Sequence, residues 1–235
     1  KGCNDSMLNL YNISPVDGRY REMTEEVRNC FSEYYLIKNR VIVELEWLKK
    51  LATLKEFYID KNDLKILDQI GEEFDLKEAT RVKEIEATTK HDVKAVEYYL
   101  DEKFKEKNID KYNHLIHFAC TSEDINNLAY GIMEKQLLEE IYIPNMNKLI
   151  EAIKSKANEY YNIPMLSHTH GQSATPTTVG KEWIIYVYRL NKILDKIKTE
   201  KIAGKFNGTV GNFNAHVISY PNIDWIQVSK EFVES

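Results

Sequence analysis

The strongest constraint on this sequence is the spacing of its apolar residues, which recur at steps of three, four and seven. That spacing places them on one face of an α-helix. Two stretches are much longer than an average helix: Ile125, Leu128, Ile132, Leu138, Ile141, Met146, Leu149, Ile153 and Ala157, continuing past Pro144, and then Val179, Trp183, Val187, Leu190, Leu194 and Ile197. Such lengths are typical of helix bundles. Because no period-two run is long enough for a core strand, we predict an all-α fold.

Shorter helices are predicted in the first half of the chain. One amphipathic helix is predicted over residues 27 to 54. A second apolar pattern runs through Val82 and Ile85, stops in the segment TTKHD and then resumes. The interruption places His91 and Asp92 at the start of a helix.

The charge pattern predicts two domains. Residues 101 to 113 are dense in charge and poor in large apolar groups, which favours a connection between domains. We therefore predict an N-terminal helical domain at residues 1–111 and an incomplete central bundle domain at residues 112–235. Residues 203–216, rich in glycine and asparagine, predict a loop whose backbone bends sharply or approaches another group closely.

Composition bounds the class of partner. The formal net charge of -5 and the sequence pI of about 5.8 disfavour nucleic acid or an anionic membrane as the main partner, since either needs a cationic surface. Cys3, Cys30 and Cys120 are odd in number and widely spaced, which indicates reduced thiols. The first residues lack the apolar segment of a secretory signal. A cytoplasmic protein is expected.

Two segments have the pattern of a helix start. Thr121 and Asp124 place a hydroxyl and an acid three residues apart before an apolar helix, which fits a capping arrangement. The same N-terminus could hold a carboxylate through Thr121 and Ser122, because a helix start presents free N–H groups. In the second segment Thr175 fits an N-cap and Pro176 the first helical position, which would place His170 in the turn before a helix.

Histidine spacing gives no metal site. His114 and His117 are three residues apart and His168 and His170 are two apart, but neither pair lies in an HExxH pattern or beside a cysteine set. His114 and His117 flank apolar residues and are interpreted as core or helix-start histidines. No metal is expected.

Five segments resemble, in order and spacing, the first half of the adenylosuccinate lyase family of the fumarase and aspartase superfamily. They are SPVDGRY, KHDVKAVEYYL, HFACTSEDINN, THGQSATPTTVGKE and GKFNGTVGNFNAH. The resemblance implies a β-elimination that releases fumarate from adenylosuccinate, giving AMP, and from succinylaminoimidazole carboxamide ribotide. It implies no cofactor. It also implies a homotetramer whose active sites are shared between subunits.

The resemblance assigns roles to individual residues. Arg19 and Tyr20 are expected to bind phosphate, and His91 and Asp92 to contact the nucleotide and the leaving group. Lys90 stands where related bacterial enzymes often have Asn, so a contact there is expected through its backbone.

His170 is the expected general acid, since an imidazole titrates near pH 6.5 and can protonate a weakly basic nitrogen. His168 is expected to be incidental. Further substrate contacts are expected from Thr121 and Ser122, which correspond to carboxylate-binding hydroxyls, from Lys205 and Asn207 near the succinyl group, and from Thr169.

The catalytic base is not expected in these residues. In the family a third signature, SSxMPxKxNP, carries the serine that acts as base, and this sequence lacks it. The remaining bundle helices and the C-terminal domain are also absent. A polypeptide ending at Ser235 is therefore expected to have no lyase activity by itself.

The sequence leaves two alternative functions open. One is another fumarate-releasing lyase such as argininosuccinate lyase. The DGRY segment argues against it, because a phosphate-binding arginine would have no ligand in a substrate without phosphate. The other is a non-catalytic helical oligomerisation module whose polar motifs are helix caps. Each motif alone fits the second alternative, but five in the family order are hard to obtain from capping.

Overall fold

The computed structural model describes residues 14–235, which divide into two compact units. Residues 14–135 and 203–235 form the first unit, and residues 136–202 form the second. Cys3 lies outside the described residues.

The predicted domain boundary near Lys111 falls inside the first compact unit. The division of the whole protein at that residue stays a prediction. No helix in the described part of the chain is long and apolar enough to cross a membrane.

Helices dominate both units, which confirms the all-α class. The elements are α1 Glu25–Arg28, α2 Glu33–Leu51, α3 Lys61–Glu72, α4 Leu76–Thr89, α5 Asp92–Glu106, α6 Ser122–Gln136, α7 Ile143–Glu159, β1 Pro164–Thr169, β2 Gln172–Thr178, α8 Val179–Thr199, α9 Asn214–Ser219 and α10 Trp225–Glu234. Short 3₁₀ turns cover Glu22–Thr24 and Asp110–Leu115, and Leu137–Tyr142 are π-helical. The second unit contains α7, α8 and both strands.

The helix predicted over residues 27 to 54 is wrong at its start. The chain turns after α1, and α2 begins at Glu33 with Ser32 in extended conformation as its N-cap. The carbonyl of Val27 accepts hydrogen bonds from the backbone N–H groups of Cys30, at 3.2 Å, and Phe31, at 2.7 Å. This tight turn buries Cys30, so burial of a small apolar side chain overrides the continuous helical pattern.

The core of the first unit is centred on α2. Trp47, Leu48 and Leu51 are fully buried. The Trp47 ring lies 4.4 Å, between centroids, from Phe206 of the glycine-rich loop and 5.1 Å from Phe232 of α10. Residues after position 203 are thus packed into the same core as α2, and aromatic pairs of this kind stabilise a fold beyond the area they bury.

His216 of α9 is a polar residue inside this core. It is 1% exposed, and neither ring nitrogen has a hydrogen-bond partner among the described residues. The nearest of the surrounding aromatic rings is Trp225, at 5.0 Å between centroids. Burial lowers the pKa of His216, because the charged imidazolium would lose its hydration, and the negative charge of Asp124 opposes that shift weakly.

We expect His216 to make the fold acid-sensitive. Its folded pKa lies below the unfolded value near 6.5, so the unfolded chain binds the proton more tightly. The stabilisation by neutral His216 is complete above that value and is lost as the pH falls through the folded pKa. Urea unfolding followed by tryptophan fluorescence at pH 7.5 and pH 5.5 should therefore show a smaller loss of stability in His216→Phe than in the wild type. Equal losses would contradict this.

The interruption between α4 and α5 confirms the sequence prediction. Lys90 adopts a left-handed conformation, φ 56°, as the C-cap of α4. His91 is the N-cap of α5, where its ring Nδ1 accepts a hydrogen bond from the backbone N–H of Lys94 at 3.2 Å. The residues that break the pattern therefore form both caps.

The second unit contains a β-hairpin that the sequence did not predict. Strands β1 and β2 are antiparallel, with Pro164 opposite Thr178 and Thr169 opposite Gln172. The predicted helix start at Thr175 and Pro176 is wrong. Helix α8 begins at Val179, and the N-cap is Thr178, whose hydroxyl accepts from the N–H of Lys181 at 3.2 Å. A proline is compatible with a two-stranded sheet, because each strand has a free edge.

Helices α7 and α8 pack closely at Gly180. A Cβ built there would lie 2.4 Å from the carbonyl oxygen of Ala157 and 2.5 Å from Cα of Tyr161. Neither contact can be relieved by rotating a side chain. Gly180 is therefore required by the close approach of the two backbones.

Gly180→Ala should destabilise the second unit by roughly 1 to 3 kcal/mol, the usual cost of overpacking. The measurement is thermal unfolding of the purified variant. Gly71→Ala is the matched control, because its Cβ would meet Leu45 Cδ1 at an ordinary 3.5 Å. That control lies within α3 and should gain roughly 0.5 to 1 kcal/mol. A neutral Gly180→Ala would show that the backbones separate without cost.

Candidate active site

A fully buried carboxylate, Asp124, joins the start of α6 to the glycine-rich loop. Its Oδ1 pairs with Nζ of Lys205 at 2.7 Å and accepts from the backbone N–H of Asn207 at 3.1 Å. Its Oδ2 accepts from the N–H groups of Thr121 at 2.9 Å and Gly208 at 3.1 Å. Four donors on two separate segments thus compensate the buried charge.

The bond from Thr121 to Asp124 is the one made by the acid of a capping box. This half of the predicted capping arrangement is confirmed. The sequence analysis did not anticipate the other three partners of Asp124, because they lie on a distant segment.

Asn127, three residues after Asp124, holds the same loop. Its side-chain Oδ1 accepts from the N–H of Lys205 at 2.8 Å, and its Nδ2 donates to the carbonyl of Lys205 at 2.9 Å. This pairing fixes the Lys205 backbone as a neighbouring strand would. Nearby, a Cβ at Gly204 would lie 2.8 Å from Leu128 Cδ2, so the loop approaches α6 closely.

The structure brings two expected site residues, Lys205 and Asn207, to the start of α6. Nζ of Lys205 also donates to the carbonyl of Gly208 at 2.7 Å, and 34% of its side chain is exposed. The side-chain Oδ1 of Asn207 is buried without a hydrogen-bond partner among the described residues. Thr121 and Ser122 are half-buried beside them.

A second group of expected residues lies at the start of α5. Nδ1 of His91 accepts the capping hydrogen bond, so the neutral ring carries its proton on Nε2. The side chain is 51% exposed. The neighbouring Asp92 pairs with Nη2 of Arg40 at 2.6 Å. Burial raises the pKa of Asp92, but the hydrogen bond from the Val93 N–H and the charge of Arg40 outweigh it and lower the pKa.

Arg40 was missed by the sequence analysis. Its side chain is 7% exposed, and its Nε donates to Oδ1 of Asn126 at 2.8 Å. Arg40 therefore links α2, the start of α5 and α6. A signal was present in the sequence, since Arg40 and Glu44 are charged residues within the apolar face of α2, where an unpaired charge would be costly.

Arg19 and Tyr20 lie in a turn near the start of the described residues. The guanidinium carbon of Arg19 lies 5.5 Å from the centroid of the Tyr20 ring, in a cation–π arrangement. Both side chains are exposed. The hydroxyl of Thr24 lies 3.2 Å from each of the carbonyl oxygens of Val16, Tyr20 and Arg21 and donates its one proton among them, which ties residue 24 to the turn.

The remaining expected residues belong to the second unit. Thr169 is the last residue of β1, and His170 with Gly171 forms the two-residue hairpin loop. Both loop residues have positive φ, 52° and 74°, as a type I′ turn requires. The His170 side chain is exposed. His168 lies in β1 opposite Ser173.

A family model described as "Lyase" matches residues 17–234. The chain belongs to this lyase family. Among curated relatives named adenylosuccinate lyase, that of Buchnera aphidicola subsp. Schizaphis graminum is 46% identical over 228 residues, covering 95% of this chain and 50% of the relative. The corresponding identities are 49% for Haemophilus influenzae, again covering 95% and 50%, and 48% for Escherichia coli K12, covering 97% and 51%.

The chain thus spans about half the length of the curated relatives it matches. The predicted resemblance is confirmed. Among solved structures, fumarate lyase from Mesorhizobium sp. BNC1 matches with a TM-score of 0.72 at 18% identity, covering 89% of this chain and 47% of that one. The lactonizing enzyme for 3-carboxy-cis,cis-muconate from Pseudomonas putida matches with a TM-score of 0.70 at 15% identity, with the same coverage. These likenesses show the fold.

Asp124→Asn should destabilise the first unit. The amide cannot balance the charge of Lys205, and its NH₂ group faces donors rather than acceptors. Removing one partner of a buried ion pair costs roughly 3 to 5 kcal/mol, and we expect the lower end because Lys205 is partly exposed. Chemical denaturation of the full-length protein gives the loss.

The double variant Asp124→Asn/Lys205→Met should recover part of this stability, because it removes the uncompensated cation. Lys205→Met alone is the control for the lost lysine. Strictly additive effects in this cycle would show that the two charges are not coupled.

Proposed function

We propose that the protein is an adenylosuccinate lyase of purine nucleotide biosynthesis. Its reaction is the elimination of fumarate from adenylosuccinate, giving AMP, and from succinylaminoimidazole carboxamide ribotide. The names of the curated relatives support this assignment, at identities of 46% to 49%. The structural support comes from the arrangement around Asp124.

The observation that supports the proposal most directly is the pairing of a helix N-terminus with a lysine ammonium, two groups that favour a carboxylate. The Thr121 and Ser122 hydroxyls belong to the N-terminus of α6, and the start of a helix favours anions. Asp124 holds the Lys205 ammonium at the same helix start. We infer that the succinyl carboxylates bind here, with Lys205 and Asn207 on the loop side.

The nucleotide end is assigned to exposed residues of the first unit. Arg19 supplies a forked cationic donor for phosphate, which an acidic protein must provide locally, and Tyr20 lies beside it. His91 offers its Nε2–H as a hydrogen-bond donor. The Asp92 side chain, which is 43% exposed, and the left-handed backbone at Lys90 complete this set.

His170 is proposed as the general acid. In the reaction, a base removes the proton from the carbon next to a carboxylate, and the C–H electrons form the double bond of fumarate. The C–N bond breaks, and the acid protonates the departing nitrogen. His170 lies at the tip of the hairpin with an exposed side chain, and Thr169 is proposed as a further substrate contact. The base is assigned to a serine outside these residues.

We also propose a cytoplasmic homotetramer with active sites shared between subunits. The second unit exposes many large apolar side chains, including Tyr161, Ile163, Trp183, Ile184, Tyr186, Tyr188 and Ile193. An apolar surface of this kind indicates contact with further protein. The net charge of -5 disfavours a nucleic-acid partner.

The direct test is turnover by the full-length protein. Loss of adenylosuccinate absorbance with stoichiometric release of fumarate is expected, and argininosuccinate should not react. Activity on argininosuccinate alone would replace the assignment with a different fumarate-releasing lyase. A non-catalytic helical module would be favoured if the protein neither bound nor converted adenylosuccinate, succinylaminoimidazole carboxamide ribotide or argininosuccinate.

His170→Asn should lower kcat by roughly a hundredfold or more, the usual contribution of a positioned general acid. Asparagine suits the left-handed turn position, so the hairpin should be retained. The matched control is His168→Asn, in the adjacent strand and also exposed, which should keep kcat near the wild-type value. Normal turnover by His170→Asn would exclude its role as the acid.

A further inference from the structure

His117, in the segment that precedes α6, lies between two carboxylates. Its ring Nδ1 is 2.6 Å from Oε1 of Glu44, and its backbone N–H donates to Oε2 of the same residue at 3.0 Å. Its Nε2 is 3.9 Å from Oε1 of Glu97. The side chain of Glu44 is fully buried and that of His117 is 15% exposed. One carboxylate of α2 thus engages both the ring and the backbone of a single residue.

Three charged groups determine the protonation of His117. Burial favours the neutral ring, but the hydrogen bond and the charge of Glu44, with a contribution from Glu97, outweigh it and raise the pKa of His117. Lys94 opposes this weakly. The ring is therefore a buried cation over a wider pH range than an ordinary histidine.

The backbone around His117 needs external support. His117 and Ala119 both have left-handed conformations, with φ of 57° and 59°, and each costs roughly 1 to 2 kcal/mol for a residue with a Cβ. The N–H of Cys120 closes a turn onto the carbonyl of His117 at 3.1 Å. Nε1 of Trp47 donates to the carbonyl of Phe118 at 2.9 Å.

Glu44 and Trp47 are three residues apart on α2, so one face of that helix holds two successive residues of the strained segment. The segment leads directly to Thr121 and Ser122. Its shape determines where those hydroxyls lie at the start of α6.

We propose that Glu44 and His117 form a positioning ion pair that fixes residues 117–121 and thereby the carboxylate-binding hydroxyls of Thr121 and Ser122. This inference rests on the proposed function, because it assumes that the succinyl carboxylates bind there. In this proposal both residues act through the backbone of residues 117–121 and not by contact with the substrate. The pair acts on the succinyl end of the site and not on the phosphate end.

The test compares two product inhibitors of the full-length enzyme, fumarate and AMP, in wild type, Glu44→Gln and His117→Gln. The Ki for fumarate should rise about tenfold or more, and the Ki for AMP should change by less than about twofold, a factor of ten being 1.4 kcal/mol of binding. Glu44→Gln is the milder variant, because its amide oxygen can still accept from the His117 backbone. It keeps the test decisive if His117→Gln does not fold.

The pH profile gives a second readout. In the wild type the ratio of the Ki for fumarate to the Ki for AMP should increase as the pH rises through the folded pKa of His117, because the ring then loses the charge that pairs with Glu44. In Glu44→Gln this rise should move to lower pH, because the carboxylate that stabilises the imidazolium is gone. An unmoved profile would overturn the proposal.

Glu78→Gln is the matched control. The Glu78 carboxylate accepts from the Tyr99 hydroxyl at 2.6 Å and pairs with Lys103 at 2.9 Å. Its loss should lower the melting temperature and leave the fumarate-to-AMP ratio unchanged. If Glu44→Gln behaves like this control, the pair is merely structural. If wild-type protein neither binds AMP nor converts adenylosuccinate, the proposed function has failed instead.

Discussion

The buried charge of Asp124 is the interaction on which the arrangement of the candidate site depends. A carboxylate with no exposed surface is tolerated when every lone pair finds a donor. Here the donors come from the start of α6 and from a loop about eighty residues later in the sequence. The charge therefore couples two segments that secondary structure alone would leave independent. The same carboxylate therefore holds the segments TSED and GKFNG against each other.

The neighbouring polar residues of the same motif extend this coupling. Asn126 accepts from Arg40, and Asn127 holds the Lys205 backbone. Within DINN, each polar side chain thus has a different task, and the apolar Ile125 is fully buried. The opposing surface is one face of α2, where Arg40, Glu44 and Trp47 follow at steps of four and three. This face reaches the start of α5, the strained segment before α6 and, through Phe206, the glycine-rich loop.

The sequence predicts what local rules determine. Apolar spacing located the long helices, and the break at TTKHD located the start of α5 at His91 and Asp92, because each signal lies within a few residues of its consequence. The hairpin was missed for a physical reason: its strands are almost entirely exposed, so no alternation of apolar and polar residues marks them. The pairings of Arg40 with Asp92 and of Glu44 with His117 were missed because their partners lie 52 and 73 residues away. Charged residues inside an apolar helical face signalled that partners must exist, but not which ones.

Left-handed backbone at non-glycine residues is concentrated in the segments that resemble the lyase family. The described residues include six non-glycine positions with positive φ: Lys90, Asn108, His117, Ala119, His170 and Phe213. Asn108 belongs to a residue type that tolerates this conformation. The other five all lie in the segments that resemble the lyase family, and glycine would fit each of those backbones more easily. At His117 and His170 the side chain supplies an imidazole, which glycine lacks. For His117 that imidazole forms a buried ion pair with Glu44. For His170 it lies exposed at the tip of a turn, with no hydrogen bond to any other side chain in the part of the chain that the structure describes.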